Sequence, residues 1–131
     1  MKYYIVIPSY NEEALIGLTL QSLISQTVLP SKIVVVNDNS TDRTAEVVLE
    51  FAKNNPYISL VNKSSENIHL PGSKVIQAFE KGFETLDDNY DLIVKIDADL
   101  IFPTNYFETI IKHFQSDERI GMVGGFCYIE K

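Results

Sequence analysis

Cysteine is nearly absent from this chain. Cys127 is the only one among 131 residues, so no internal disulfide can form, and the sequence suits a reducing compartment, the cytoplasm. Tryptophan is missing and glycine is sparse, with six in all. Neither Gly-x-Gly-x-x-Gly nor Gly-x-x-x-x-Gly-Lys-Ser/Thr occurs, which excludes a dinucleotide fingerprint and a P-loop; Gly121, Gly124 and Gly125 have the wrong spacing and context. Positive charge is scarce too. Eleven Lys and Arg face eighteen Asp and Glu, a net charge of −7, and that argues against a nucleic-acid partner, whose phosphates need clustered cations. Long apolar runs are also lacking. The N-terminal run Tyr3 to Ile7 stops at Pro8, too short for the core of a signal peptide, and nothing in the chain is long enough to span a bilayer. The expectation is a soluble, cytoplasmic chain with no membrane segment of its own; any membrane association falls to parts of a longer protein.

What remains is the composition of one ordinary globular domain, 45% hydrophobic and 11% aromatic. A domain of this length buries roughly two-thirds of its unfolded surface and needs no metal or disulfide to fold. Tyr3-Tyr4-Ile5-Val6-Ile7 reads as a buried strand ended by Pro8, and Ala14 to Gln26 as a helix. Ile33 to Val36 is a second, β-branched strand, and a second helix runs from about Thr41 to Asn54. Tyr57 to Val61 predicts a third strand, Asn62 to Gly72 a long loop, and Lys74 to Leu86 a helix with the stripe Val75, Ile76, Phe79, Phe83, Leu86. Leu92 to Ile96 is a fourth strand. Pro103 suits the first turn of a helix carrying Phe107, Ile110, Ile111 and Phe114, and Ile120 to Phe126 reads as a fifth strand weakened by glycine. Such βα alternation predicts an α/β fold, a mostly parallel sheet with helices on both faces.

In open sheets of this kind ligands bind beyond the carboxyl ends of the strands, at the switch point. Three polar clusters fall on that edge: Pro8 to Glu13, Asn37 to Asp42, and Asp97 to Asp99. Asp97 and Asp99 offer oxygen ligands alone, which suits Mg²⁺ or Mn²⁺ bridging to phosphate. As isolated features their plain reading is a helix cap or a solvent-exposed position. Tyr10 offers an aromatic face, and Glu12 and Asp38 offer acceptors for a base N–H or a ribose hydroxyl, the makings of a nucleoside site. A surface turn and a capping residue are the plain readings of Tyr10 and Asp38.

The three clusters together resemble family 2 glycosyltransferases, whose fold is called GT-A. Ile7-Pro8-Ser9-Tyr10-Asn11-Glu12-Glu13 resembles the family's opening motif. Val36-Asn37-Asp38-Asn39-Ser40-Thr41-Asp42 is similar to its second motif, Asp-Asp-Gly-Ser-x-Asp, and Asp97-Ala98-Asp99 matches its Asp-x-Asp motif. They stand in family order and cover nearly the whole chain. The resemblance implies a nucleotide-diphospho-sugar transferase, inverting at the anomeric carbon, that takes a UDP or GDP sugar and passes it to a saccharide or lipid-linked acceptor. It implies that Pro8, Tyr10, Glu12 and Asp38 contact the nucleotide, that Asp97 holds ribose or metal, and that Asp99 binds a Mn²⁺ or Mg²⁺ bridging the diphosphate. Lys74 stands where relatives often place a basic residue near the nucleotide; an exposed helix-start lysine is the plain reading.

The sequence also departs from the family pattern. Asn37 replaces the first Asp of the usual pair and Asn39 the glycine. Relatives often carry Arg-Asn where this chain has Ile76-Gln77-Ala78, and His69 and His113 read as surface residues. No carboxylate after Asp99 (Glu108, Asp117, Glu118 or Glu130) matches the family's general base. Residues 1–131 are therefore expected to be a single donor-binding GT-A domain, truncated, with the acceptor half missing and the base beyond Lys131. A nucleotide-sugar-binding module without catalytic activity is the alternative. A phospho-acceptor receiver domain is excluded, because its third strand must end in Asp and this one ends Asn62-Lys63.

Overall fold

The computed structural model describes residues 1–63, 73–116, 122–123 and 126–130. Its strands are β1 (Tyr3–Ser9), β2 (Lys32–Asp38), β3 (Ile58–Lys63), β4 (Leu92–Lys95), β5 (Met122–Val123) and β6 (Phe126–Glu130). Between them lie helices α1 (Ile16–Ile24), α2 (Thr44–Asn54), α3 (Ser73–Glu84) and α4 (Tyr106–Ser116). The strands form one sheet in the order β3-β2-β1-β4-β6-β5. β1 to β4 are mutually parallel, whereas β6 runs antiparallel to β4 and β5 antiparallel to β6. The single fifth strand expected at 120–126 is thus two short strands folded back on each other, and the sheet is parallel only as far as β4.

The chain winds outward from β1 to β2 and β3, then returns to place β4 on the other side of β1. Alternation along the strands sends Tyr3, Ile5, Ile7, Ile33, Val35, Leu92 and Val94 to one face, against α1, α2 and α4. Val6, Val34 and Val36 point to the opposite face, against Ala78 of α3. Helices on opposite faces are what right-handed crossovers require when the winding direction reverses. The reversal opens a crevice beyond the carboxyl ends of β1 and β4.

Four local expectations are revised. Pro8 does not end β1 but lies within it, opposite Val36. The Tyr3 carbonyl accepts from Ser31 on the β2 side and the Val6 carbonyl from Ile96 on the β4 side, so even-numbered residues of β1 face β4. Pairing with β4 ends at Val6 and Lys95, and Pro8, two residues on, has no ladder bond to lose. Pro103 precedes α4 rather than opening it; its carbonyl accepts from Tyr106 in a turn. β2 and β3 run on to Asp38 and Lys63, so Asn62 and Lys63 belong to the sheet and not to a loop. Ile76 is exposed at 58% and leaves the expected apolar stripe, while Ala78 and Gly82 meet the sheet. A Cβ on Gly82 would come within 2.7 Å of Val36 Cγ2 and 2.8 Å of Val6 Cγ1, so α3 lies too close to the strands for any side chain there. Among the described residues no helix is long and apolar enough to cross a membrane.

Candidate functional site

The loops after β1 and β2 are stitched to each other before any ligand is considered. Asn11 and Asn39 adopt left-handed backbone, with φ of 50° and 61°, a region open to Asn at modest strain and to most other side chains only at a cost. That explains why Asn39 can stand where the second motif normally has glycine. The Asn11 carboxamide oxygen accepts from the Thr41 N–H at 2.8 Å, and the Asn11 N–H donates to Ser40 Oγ at 3.0 Å. The Glu12 N–H donates to Thr44 Oγ1 at 2.9 Å and the Glu13 N–H to Asp42 Oδ2 at 3.2 Å. Asp42, the last acidic residue of the second motif, also accepts from the Thr44 N–H at 2.9 Å. Its role here is to brace two loops. Asn37 is likewise structural: its amide donates to Asn62 at 3.0 Å and its oxygen accepts from the Ser40 N–H at 3.2 Å. A carboxylate at 37 could keep the contact with Asn62 only if the Asn62 amide turned its N–H toward it.

The third cluster follows β4. Ile96 stays buried and hydrogen-bonded to β1, Asp97 and Asp99 emerge exposed, and Ala98 between them is buried. Thr19 of α1, fully buried, donates its hydroxyl to the Ala98 carbonyl at 3.0 Å, which pins the turn and with it the direction of both carboxylates. Lys95 approaches Asp97 Oδ1 loosely at 3.9 Å.

These parts enclose a cleft of about 670 Å³ lined by Pro8, Ser9, Tyr10, Glu12, Asp38, Asn39, Ala78, Asp97, Ala98 and Asp99. Six of the seven candidate residues therefore share one cavity. The seventh, Lys74, is the second residue of α3, one turn before Ala78; His69 lies outside the described residues. Tyr10 is 58% exposed and presents its ring to solvent, whereas Asp38 is 7% exposed at the last position of β2. Asp38 is paired with Lys63 of β3, whose Nζ stands 3.7 Å from Oδ1. Asn39, within the second polar cluster, lines the cleft beside Asp38. Lys63, Thr19 and Ala78 were not singled out from the sequence; Ala78 stands at helical spacing from Lys74, whereas Lys63 depends on strand register and Thr19 on a helix–turn contact.

The cleft is acidic. The Glu12 carboxyl is pushed above its ordinary value, first by partial burial and then by the charges of Asp99, Asp42 and Asp97. Crowded carboxylates with oxygen donors alone fit a hard divalent cation. Among the described residues no group of three or more His, Cys, Asp or Glu could hold a metal alone. Asp97 and Asp99 offer two carboxylates, the number with which a hard divalent cation is commonly shared between protein, ligand oxygens and water.

Comparison with known proteins bears on this arrangement. The family described as "Glycosyl transferase family 2" matches residues 4–131. The chain is 32% identical over 126 residues to "Probable glycosyltransferase YdaM" of Bacillus subtilis (strain 168), covering 95% of this chain and 29% of that protein. It superposes on Staphylococcus aureus TarS 1-349 in complex with UDP with a TM-score of 0.67 at 23% identity, over 90% of this chain and 33% of that one. The mannosyltransferase PcManGT of Pyrobaculum calidifontis, in complex with GDP-Man and Mn2+, gives 0.68 at 23% identity, over 92% and 34%. The chain spans between 29% and 34% of the length of these proteins. A GT-A sheet whose three edge motifs meet in one cleft, matched by the family along all but its first three residues, leaves one assignment: the chain belongs to glycosyl transferase family 2.

Proposed function

We propose that residues 1–131 bind the donor of an inverting glycosyltransferase, which moves a sugar from a UDP or GDP sugar to a hydroxyl of a saccharide or lipid-linked acceptor. The observation that carries this reading is the convergence of Pro8, Tyr10, Glu12, Asp38, Asp97 and Asp99 on one cleft at the switch point of the sheet. Two fold neighbours crystallised with UDP or with GDP-Man and Mn2+ support the ligand class.

In this reading Tyr10 stacks on the base, Pro8 forms the wall beside it, and Asp38 and Glu12 accept hydrogen bonds from base or ribose. Lys74 adds positive charge near the nucleotide. Asp97 and Asp99 hold a Mn²⁺ or Mg²⁺ ion, which when bound offsets the charge developing on the departing diphosphate. The polypeptide's share is to fix the donor, with the turn at Ala98 anchored through Thr19 so that both carboxylates are preset. Inversion requires an acceptor hydroxyl to attack the anomeric carbon as a base takes its proton. The proposal assigns no such base among residues 1–131.

The test is thermal melting with UDP or GDP in Mn²⁺, in Mg²⁺ and in EDTA. Ligand at about a hundred times Kd adds about 2.7 kcal/mol, a rise of several degrees in Tm. The rise is expected with either metal and should largely vanish with EDTA. Equal shifts in all three conditions would remove the metal, and no shift would remove the nucleotide.

A further inference from the structure

Asp38 and Lys63 are partners in the parallel register of β2 and β3, each at the last position of its strand. Neighbours in parallel register send their side chains to the same face. Asp38 follows the alternation of Val34 and Val36, and Lys63 that of Val61, all toward the α3 side. The Lys63 side chain is only 12% exposed, and its Nζ is fully buried with no hydrogen-bond partner among the described residues. Its ammonium stands 3.7 Å from Asp38 Oδ1, an ion pair too long to be a hydrogen bond. Lys63 does not line the cleft, whereas Asp38 does. A lysine this deep is rare without a charged partner, because stripping its water is costly. Here the partner is a carboxylate that opens on the ligand cavity.

We infer that Lys63 is a positioning residue for nucleoside recognition: its buried ammonium holds the Asp38 carboxylate in place as an acceptor, so that the cleft selects nucleosides presenting an N–H or hydroxyl donor at that point. This rests on the reading of the cleft as a nucleoside diphosphate site. The cation acts from behind the carboxylate, not on the ligand. It sits at the base end of the cleft, on the β2–β3 side, while Asp97 and Asp99 follow β4 on the other side of β1. Its contribution is therefore independent of the metal.

The experiment is calorimetric titration with whichever of UDP and GDP the wild-type chain binds, in Mn²⁺ and in EDTA, with folding checked by melting. Lys63→Met should weaken binding several-fold, by no more than the roughly tenfold expected for losing the Asp38 carboxylate itself and by the same factor in both conditions, since an acceptor no longer held in place makes a poorer hydrogen bond to the ligand. Lys63→Arg should restore affinity to within about threefold, since it keeps the charge. In an Asp38→Asn background Lys63→Met should cost nothing further, because the carboxylate it serves is gone. Lys63→Gln replaces Lys63→Met if that variant does not fold. Wild-type affinity in Lys63→Met, or a loss undiminished by Asp38→Asn, overturns the proposal. A loss confined to Mn²⁺ also overturns it, since the lysine would then act on the diphosphate. If the wild-type chain binds neither nucleotide, the reading of the cleft fails first and this inference falls with it.

Discussion

The Asn11 side-chain oxygen accepts the Thr41 backbone N–H at 2.8 Å, and through that bond the loop after β1 rides on the loop after β2. Tyr10 and Glu12 flank Asn11, and Asp38 and Asn39 stand just before Thr41, so this bond, with the other hydrogen bonds between the two loops, sets the spacing of four residues lining the cleft. The left-handed backbone at Asn11 and Asn39 makes this geometry sensitive to side-chain shape.

Asn39→Gly should change stability by only a few tenths of a kcal/mol, because glycine adopts a φ of 61° without strain. Asn39→Val should cost about 1–3 kcal/mol, because a β-branched residue resists that conformation. Urea denaturation of the two variants beside the wild type measures both. Equal stability of the valine and glycine variants would mean that the loop relaxes away from the left-handed conformation.

Asp99 and Asp38 should divide the work of binding. Asp99→Asn is expected to abolish the part of nucleotide affinity that depends on Mn²⁺ and to leave the affinity in EDTA unchanged. Asp38→Ala should weaken binding with or without metal, on the order of tenfold for a lost charged hydrogen bond. Calorimetry in which Asp38→Ala keeps wild-type affinity would take Asp38 out of the site.

The far end of the sheet supplies the pH dependence. Lys32 Nζ lies 2.7 Å from Asp87 Oδ2, and the Tyr4 hydroxyl donates to Asp87 Oδ1 at 2.6 Å. The Lys32 bond, then the Tyr4 bond and the Asn89 N–H, hold the Asp87 carboxyl well below the usual carboxylate range. The folded state thus favours ionised Asp87. The stability it contributes is present above about pH 4, the ordinary carboxylate value, and is lost as pH falls below that toward the depressed folded value. On the alkaline side the Tyr4 hydroxyl, bonded to Asp87 and partly desolvated, is raised to about 12. Its contribution is present below pH 10, its ordinary value, and disappears as pH rises through about 12. Tm recorded against pH should therefore fall less steeply below pH 4 in Asp87→Asn than in the wild type; parallel curves would disprove the assignment.

Residues 1–131 alone should release nucleoside diphosphate from a donor sugar slowly and without stimulation by sugar acceptors. General-base catalysis is typically worth about 10²- to 10⁴-fold, and orienting an acceptor can be worth more. The assay is nucleoside diphosphate release across a panel of acceptors. Strong acceptor stimulation would place a base within these residues, with Glu130 the first to replace.

The order of strands and helices, the shared edge and the three motifs were readable from apolar periodicity and from residues at strand ends. Direction was not. The segment 120–126 carries one apolar run, and periodicity says nothing about whether a strand returns parallel or folds back, so the β5–β6 hairpin escaped. Lys63 escaped for a related reason. In the sequence it follows Val61-Asn62 like a loop residue, and only the pairing of β2 with β3 sets it beside Asp38. The helical stripe misplaced Ile76 because spacing identifies an apolar face but not how close that face lies to the sheet.

That distance has an effect one turn away. Gly82 lets α3 rest directly on Val6 and Val36, and Ala78, four residues earlier on the same helix, is part of the cleft lining. The bore of the cleft is thus gauged by a side chain that is not there. A methyl group at 82 would lift the helix like a shim, enlarging the cavity without touching any group that meets the ligand.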